Sequence, residues 1–210
     1  MAGGNNTVEL VGYYGSDETH ALSAWTSTSR DLNEEKKGRI DKLLKMLADA
    51  GHHTVFEKSS LHFLVTSDVA THIQFLKHRI GVSINAESAR YKELKDDKFY
   101  IPQDWPEEEI VRYTSHMEVC LEQYHRTLER LVASGMSRKR AKESARFYLP
   151  YGNQITMDVM FNWRSFHHFL SLRDKPDAQR EIAWVASDML KLVTEIEGNP
   201  FKHTIAAFGH

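Results

Sequence analysis

Residues 74–91 concentrate side chains able to hold an anionic, hydrogen-bonding ligand. Gln74, Lys77, His78, Arg79, Ser83, Asn85, Glu87, Ser88, Arg90 and Tyr91 supply cations, an imidazole, amides, hydroxyls and a carboxylate within this one stretch. Fixed cations beside several donors suit a nucleotide, because hydrogen bonds from a guanidinium or ammonium to phosphate are among the strong ones. The Lys77-His78-Arg79 triplet alone reads as a solvated basic helix end. The Ser, Asn and Arg residues that follow it shift the balance toward a binding segment. Ser88 has no His-Asp relay evident around it, so phosphate binding suits it better than nucleophilic attack.

The elements that must position these groups follow from periodicity. Val69, Ala70, Ile73, Phe75 and Leu76, behind Asp68 as a cap, predict a helix over residues 67–76. Gln74, Lys77 and His78 then share a face at spacings of three to four residues. Gly81 and the Ser/Asn cluster after it predict a loop. Residues 8–14 and 61–66 are β-prone, and residues 154–161 alternate as a half-buried strand does. Helices are predicted over residues 33–50 (ended by Gly51), from Pro106 to near Gly135, over 138–146 behind the cap Ser137, and over 162–172 and 177–197. No repeat, low-complexity tract or linker interrupts them. The expectation is a single α+β domain spanning residues 1–210, its small mixed or antiparallel sheet flanked by long helices.

Composition narrows the function. A hydrophobic content of 41% and a charged content of 27% are those of an ordinary globular protein. The net charge of −2 argues against a general nucleic-acid coat, so any anion site must come from local clusters. One cysteine, Cys120, excludes an intramolecular disulfide. The N-terminus has no signal pattern and no apolar run is long enough to span a bilayer, so a soluble, cytoplasmic protein is expected.

Other constellations carry less on their own. His52-His53 and His167-His168 are paired imidazoles, but no HExxH or cysteine pair accompanies them, so no metal site is expected. Cys120, between Val119 and Leu121 in a long helical pattern, reads as a core residue with no basic cluster to activate it. Arg164 and His168 lie four residues apart and share a helical face, whereas Arg173, nine beyond Arg164, falls on roughly the opposite one. Arg173 by itself reads as a cation favoured at a helix C-terminus.

Three blocks in order resemble the flavin-dependent thymidylate synthases. Lys77-His78-Arg79, eight intervening residues and Ser88-Ala89-Arg90-Tyr91 are similar to that family's Arg-His-Arg, seven residues, Ser-x-Arg-Tyr signature. His52-His53-Thr54-Val55-Phe56-Glu57 resembles its His-Glu-Thr-Pro-Phe-Glu segment. Arg146 to Pro150 and Asn162 to Arg173 resemble its Ala-Arg-x-x-Leu-Pro and Asn-x-Arg-Ser-x-x-x-Phe-Leu-x-Leu-Arg runs. Lys77 departs from the family's arginine and loses the planar fork. The signature loop is one residue longer, which leaves Ala86 or, preferably, Glu87 at the position of the family glutamate. His168 replaces an asparagine of some members.

The resemblance implies reductive methylation of dUMP to dTMP, with methylenetetrahydrofolate as carbon donor, FAD as hydride carrier and NADPH as its reductant. It implies FAD contacts from Thr54, Lys77, His78, Arg79, Glu87, Asn162, Arg164 and His168. It assigns Gln74, Lys77, Glu87, Ser88, Arg90, Arg146 and Arg173 to dUMP, with Arg173 as the catalytic group that polarises the uracil. Partners would be dUMP, folate and three further copies in a homotetramer with active sites at subunit junctions; no nucleic acid or membrane is implied. A metal-dependent phosphohydrolase using the histidine pairs, and a non-catalytic nucleotide- or RNA-binding module, are the alternatives.

Overall fold

In a computed structural model, the described residues are 3–29, 31–88, 93 and 98–210. The strands are β1 (Gly3–Gly4), β2 (Thr7–Tyr14), β3 (Ser60–Asp68), β4 (Val82–Ala86), β5 (Phe99–Tyr100) and β6 (Gln154–Phe161). The first four helices are α1 (Asp17–Trp25), α2 (Glu34–Lys37), α3 (Ile40–Asp49) and α4 (Val69–Phe75). The remainder are α5 (Glu107–Ala133), α6 (Arg138–Ala145), α7 (Trp163–Arg173), α8 (Arg180–Thr194) and α9 (Lys202–Ala207). β1 pairs with β5 in parallel, and a four-stranded sheet has the order β2-β3-β6-β4. β3 and β6 run antiparallel: Thr66 is hydrogen-bonded to Thr156, and four residues earlier His62 meets Asp158.

The chain forms two compact units from interleaved segments: 1–7, 65–76 and 85–157, and 8–64, 77–84 and 158–210. In the first, α5 packs along α6 and buries Tyr124 and Leu128 against Ala145, while Phe99, Met117 and Leu121 form a neighbouring cluster. Asp68 caps α4 through the Thr71 amide at 2.8 Å, and its other oxygen accepts from Asn6 at 3.0 Å. In the second, Phe56, Phe63, Phe161, Phe166, Phe169, Trp163 and Phe201 are buried. Each such ring adds roughly 2–3 kcal/mol of burial free energy. These rings hold α7 in place.

Four sequence expectations differ from the structure. α4 starts two residues later than residue 67 and ends at Phe75, with Leu76 as its C-cap, so Lys77 and His78 lie beyond the helix and share no helical face with Gln74. The predicted loop after Gly81 is strand β4, in which Val82, Ile84 and Ala86 are the half-buried alternates. Its Ser and Asn side chains occupy the exposed alternate positions, which is why composition misled where period did not. The expected helix over residues 33–50 is broken at Gly38 and Arg39 into α2 and α3, glycine being a poor helix former. Cys120 is not a core residue: it is partly exposed on α5, with its Sγ 3.5 Å from His116 Nε2. Among the described residues, no helix is long and apolar enough to cross a membrane.

Candidate active site

α7 is the platform of the second unit. Asn162 starts it, its side-chain oxygen accepting from the Ser165 amide at 2.9 Å. Trp163, Phe166, Phe169 and Leu170 recur at helical spacing and are buried, Trp163 stacking on Phe201 with centroids 5.6 Å apart. That buried stripe turns Arg164 and His168 outward together.

The start of α7 is pinned by a buried polar relay. Thr204 donates its hydroxyl to Asp17 Oδ1 at 2.6 Å, so its oxygen is left to accept from His20 Nδ1 at 3.0 Å. His20 Nε2 therefore accepts from the Ser59 hydroxyl, also at 3.0 Å, and Ser59 Oγ accepts the Trp163 amide at 3.3 Å. Burial pulls the His20 pKa down to about 4, and burial likewise raises that of Asp17 against the hydrogen bonds from Thr204 and His203. The network is satisfied from end to end, which such depth requires.

Beside α7 lies a cavity of about 560 Å³ lined by His53, Glu57, Ile80, Gly81, Asn162, Arg164, Ser165, His167 and His168. Arg164 reaches Glu57 at 2.6 Å across it. Gly81 has φ +69°, and a Cβ there would come within 2.8 Å of Asn162 Nδ2, so only glycine lets the backbone pass this close. Ser165 Oγ donates to the Gly81 carbonyl at 2.7 Å and closes that corner. Ile80 is 92% exposed, an apolar side chain at the cavity's margin with no cover. His167 packs on Phe208 and has its pKa lowered to about 4 by burial, with His210, His53 and His168 adding to the effect. The volume falls in the ordinary range for a cofactor pocket. A guanidinium suits a pyrophosphate, and imidazoles and an amide suit a heterocycle's edge, so the donor set fits a flavin dinucleotide.

Arg173, the last residue of α7, donates its Nε–H to His78 Nε2 at 3.1 Å. His78 is buried to 7% exposure, with its ring edge-to-face on Phe169 at 5.0 Å. Burial pulls its pKa down to about 4, helped by the charges of Arg173 and His168.

The remaining expected site residues fall as follows. In the second unit, Thr54 is exposed in the short turn His53–Glu57, and Lys77 and Arg79 are exposed on either side of His78. In the first unit, Glu87 closes onto β6: its amide donates to the Thr156 carbonyl at 2.8 Å and its carboxylate accepts the Thr156 amide at 2.9 Å. Ser88 follows it half-buried; Gln74 sits in the last turn of α4, and Arg146 is exposed after α6. Arg90 lies outside the described residues. Thus Asn162, Arg164 and His168 share one cavity, and His78 and Arg173 meet directly. Glu57, Ile80, Gly81 and Ser165 line the cavity without having been assigned to a site, and His53 and His167 line it too, having been weighed only as metal-ligand pairs. Glu57 and Ser165 carried a sequence signal, as members of the His52–Glu57 and Asn162–Arg173 blocks.

A glycine-cornered pocket with a guanidinium, imidazoles and an amide, on an α+β scaffold, fits a nucleotide cofactor. The comparisons specify which. The family model "Thymidylate synthase complementing protein" matches residues 9–197. A flavin-dependent thymidylate synthase of Streptomyces coelicolor is 33% identical over 203 residues, covering 86% of this chain and 78% of that protein. One from Streptomyces avermitilis is 30% identical, covering 87% and 84%. A solved UMP/dUMP methylase from Streptomyces cacaoi, bound with 5-Br dUMP, superposes with a TM-score of 0.82 at 30% identity, covering 98% of this chain and 95% of that one. The chain belongs to the flavin-dependent thymidylate synthase family.

Proposed function

We propose that this chain, as one domain over residues 1–210, methylates dUMP to dTMP with FAD bound, methylenetetrahydrofolate as carbon donor and NADPH as reductant. The observation that carries this is the cavity beside α7, where Asn162, Arg164 and His168, three residues that the resemblance assigns to the flavin, converge. Thr54, Lys77, His78, Arg79 and Glu87 complete that set by resemblance. Bound and reduced, FAD supplies the hydride that the one-carbon unit needs to become a methyl group.

The protein's own groups bind, orient and polarise. Arg164, paired with Glu57 at 2.6 Å, would hold the cofactor's phosphates. Ser88, Arg90 and Arg146 hold the dUMP phosphate, and Gln74, Lys77 and Glu87 hold its nucleoside. Arg173 sets a permanent guanidinium at the N3/O2 edge of uracil, which stabilises negative charge in the ring and raises nucleophilicity at C5. No protein thiol is required, and Cys120 takes no part. The resemblance implies a homotetramer with active sites at subunit junctions, and a soluble, cytoplasmic setting.

A second reading concerns the sugar. A solved structure of the same Streptomyces cacaoi methylase bound with 5-Br UMP superposes with a TM-score of 0.78 and covers 98% of this chain. We infer that UMP is also accepted. Purified protein should be yellow with bound FAD and should oxidise NADPH faster when dUMP or UMP is added. A colourless protein that takes up no FAD from excess cofactor contradicts the proposal, and acceleration by dUMP alone removes the second reading.

A further inference from the structure

Asn162 lines the cavity and also starts α7, and the two duties fall on different atoms of one side-chain amide. Its Oδ1 accepts the Ser165 amide at 2.9 Å, which commits that oxygen to the helix. This bond also settles which end of the amide is which, because turning the group over would set its NH2 against another N–H. Nδ2 therefore occupies the other arm, over Gly81, where a Cβ on that glycine would come within 2.8 Å of it. Among the described residues Nδ2 has no hydrogen-bond partner. The acceptors beside it are already engaged. The Gly81 carbonyl takes the Ser165 hydroxyl at 2.7 Å and the Asn162 backbone amide at 3.4 Å. The Asn162 carbonyl takes the Phe166 amide at 2.9 Å and also lies 2.9 Å from the Ser165 hydroxyl. Arg164, in the same cavity, can only donate. What Asn162 and Arg164 offer a ligand is N–H.

We propose that Asn162 sets the polarity of cofactor recognition at this corner. It donates its NH2 to an oxygen of FAD that carries no hydrogen, a ring carbonyl or a diphosphate oxygen, while its own side-chain oxygen serves only the helix. A group presenting an N–H at this point would meet a second donor and be rejected, because two polar groups would be left unpaired on binding. The proposal rests on the reading of the cavity as the FAD site. It adds a hydrogen-bond sign to that site, which the residue type alone does not carry, since an asparagine both donates and accepts.

The test uses full-length protein depleted of bound flavin and titrated with FAD, riboflavin and ADP, comparing wild type, Asn162→Asp and Asn162→Ser. Both replacements keep a capping oxygen for the Ser165 amide, so their urea midpoints should stay at the wild-type value. Asn162→Asp puts an acceptor where the NH2 stood and should raise the Kd for FAD by about 100-fold. Asn162→Ser removes the donor without adding a charge and should raise it by about 10-fold. A loss shared by riboflavin assigns the acceptor to a ring carbonyl; a loss confined to FAD and ADP assigns it to the diphosphate, and the proposal stands in both cases. A folded Asn162→Asp variant that binds FAD as tightly as wild type overturns it. So does an unchanged Kd in Asn162→Ser, a comparison that holds even if Asn162→Asp does not fold. Wild-type protein that takes up no FAD is a failure of the proposed function and takes this proposal with it; wild type that binds FAD beside two indifferent variants fails the polarity alone.

Discussion

His20 and His78 are two buried imidazoles of the same unit, both pulled down to a pKa of about 4 by desolvation, and they do different work. His20 has both ring nitrogens bonded to uncharged hydroxyls, those of Ser59 and Thr204, inside a closed relay. His78 spends its Nε2 on a guanidinium that is half-exposed. The two pKa values are alike because burial dominates both. What separates a structural histidine from a site histidine is the partner: a satisfied hydroxyl chain holds a fold, and an oriented permanent charge can act on something else.

The largest effect that this contrast predicts is at the partner of His78. Arg173→Ala should lower dTMP formation by about 10²- to 10³-fold, the loss that follows removal of one preorganised charge donor, while the flavin absorbance is kept. Unchanged turnover would remove Arg173 from the chemistry. His20→Phe keeps an aromatic ring but removes one hydrogen-bond partner from each of two buried hydroxyls, and should cost roughly 1–3 kcal/mol of stability. Urea unfolding measures this, and below the melting transition the folded variant should retain wild-type kcat. A selective loss of kcat would erase the distinction drawn between the two histidines.

Acid should expose what they share. Between the ordinary histidine pKa of about 6.5 and the folded value of about 4, the unfolded chain binds protons that folded His20, His78 and His167 refuse. Their contribution to stability is therefore complete above pH 6.5 and is lost progressively as the pH falls toward 4. The raised pKa of Asp17 works in the opposite sense at the lower end of that window. Unfolding midpoints across this range should fall with pH, and less steeply in His20→Phe; a flat profile contradicts the assignment of neutral buried rings.

Smaller effects belong to the cavity. Gly81→Ala forces a Cβ onto Asn162 at a positive φ and should cost about 1–2 kcal/mol, with FAD affinity weakened in step. Glu57→Gln should change stability by less than about 1 kcal/mol, since the Arg164 pair is largely exposed. By freeing Arg164 for phosphate it should leave FAD affinity equal or slightly higher; a large loss of FAD would mean that Glu57 itself binds the cofactor.

Much of this was legible in the chain. Asp68 and Ser137 cap the helices that follow them, because a short polar side chain at a helix start satisfies an otherwise unpaired amide. The alternation of residues 154–161 gave β6 within its exact bounds. β4 was hidden because its exposed alternates are Ser83 and Asn85, residues whose loop preference outweighed a weak period. α1 and α9 escaped because α1 has almost no apolar stripe and α9 is a short helix, held instead by the Asp17–Thr204 bonds. The shared face of Arg164 and His168 followed from helical spacing alone. The bond from Arg173 to His78 did not, since nothing local records a contact made across ninety-five residues.

The most direct measurement of the central claim is dTMP itself. Purified protein supplied with FAD, NADPH, methylenetetrahydrofolate and dUMP should form dTMP, and omission of NADPH, methylenetetrahydrofolate or dUMP, or removal of the bound FAD, should abolish it. Protein that binds FAD and dUMP yet forms no dTMP with all four present would contradict the account.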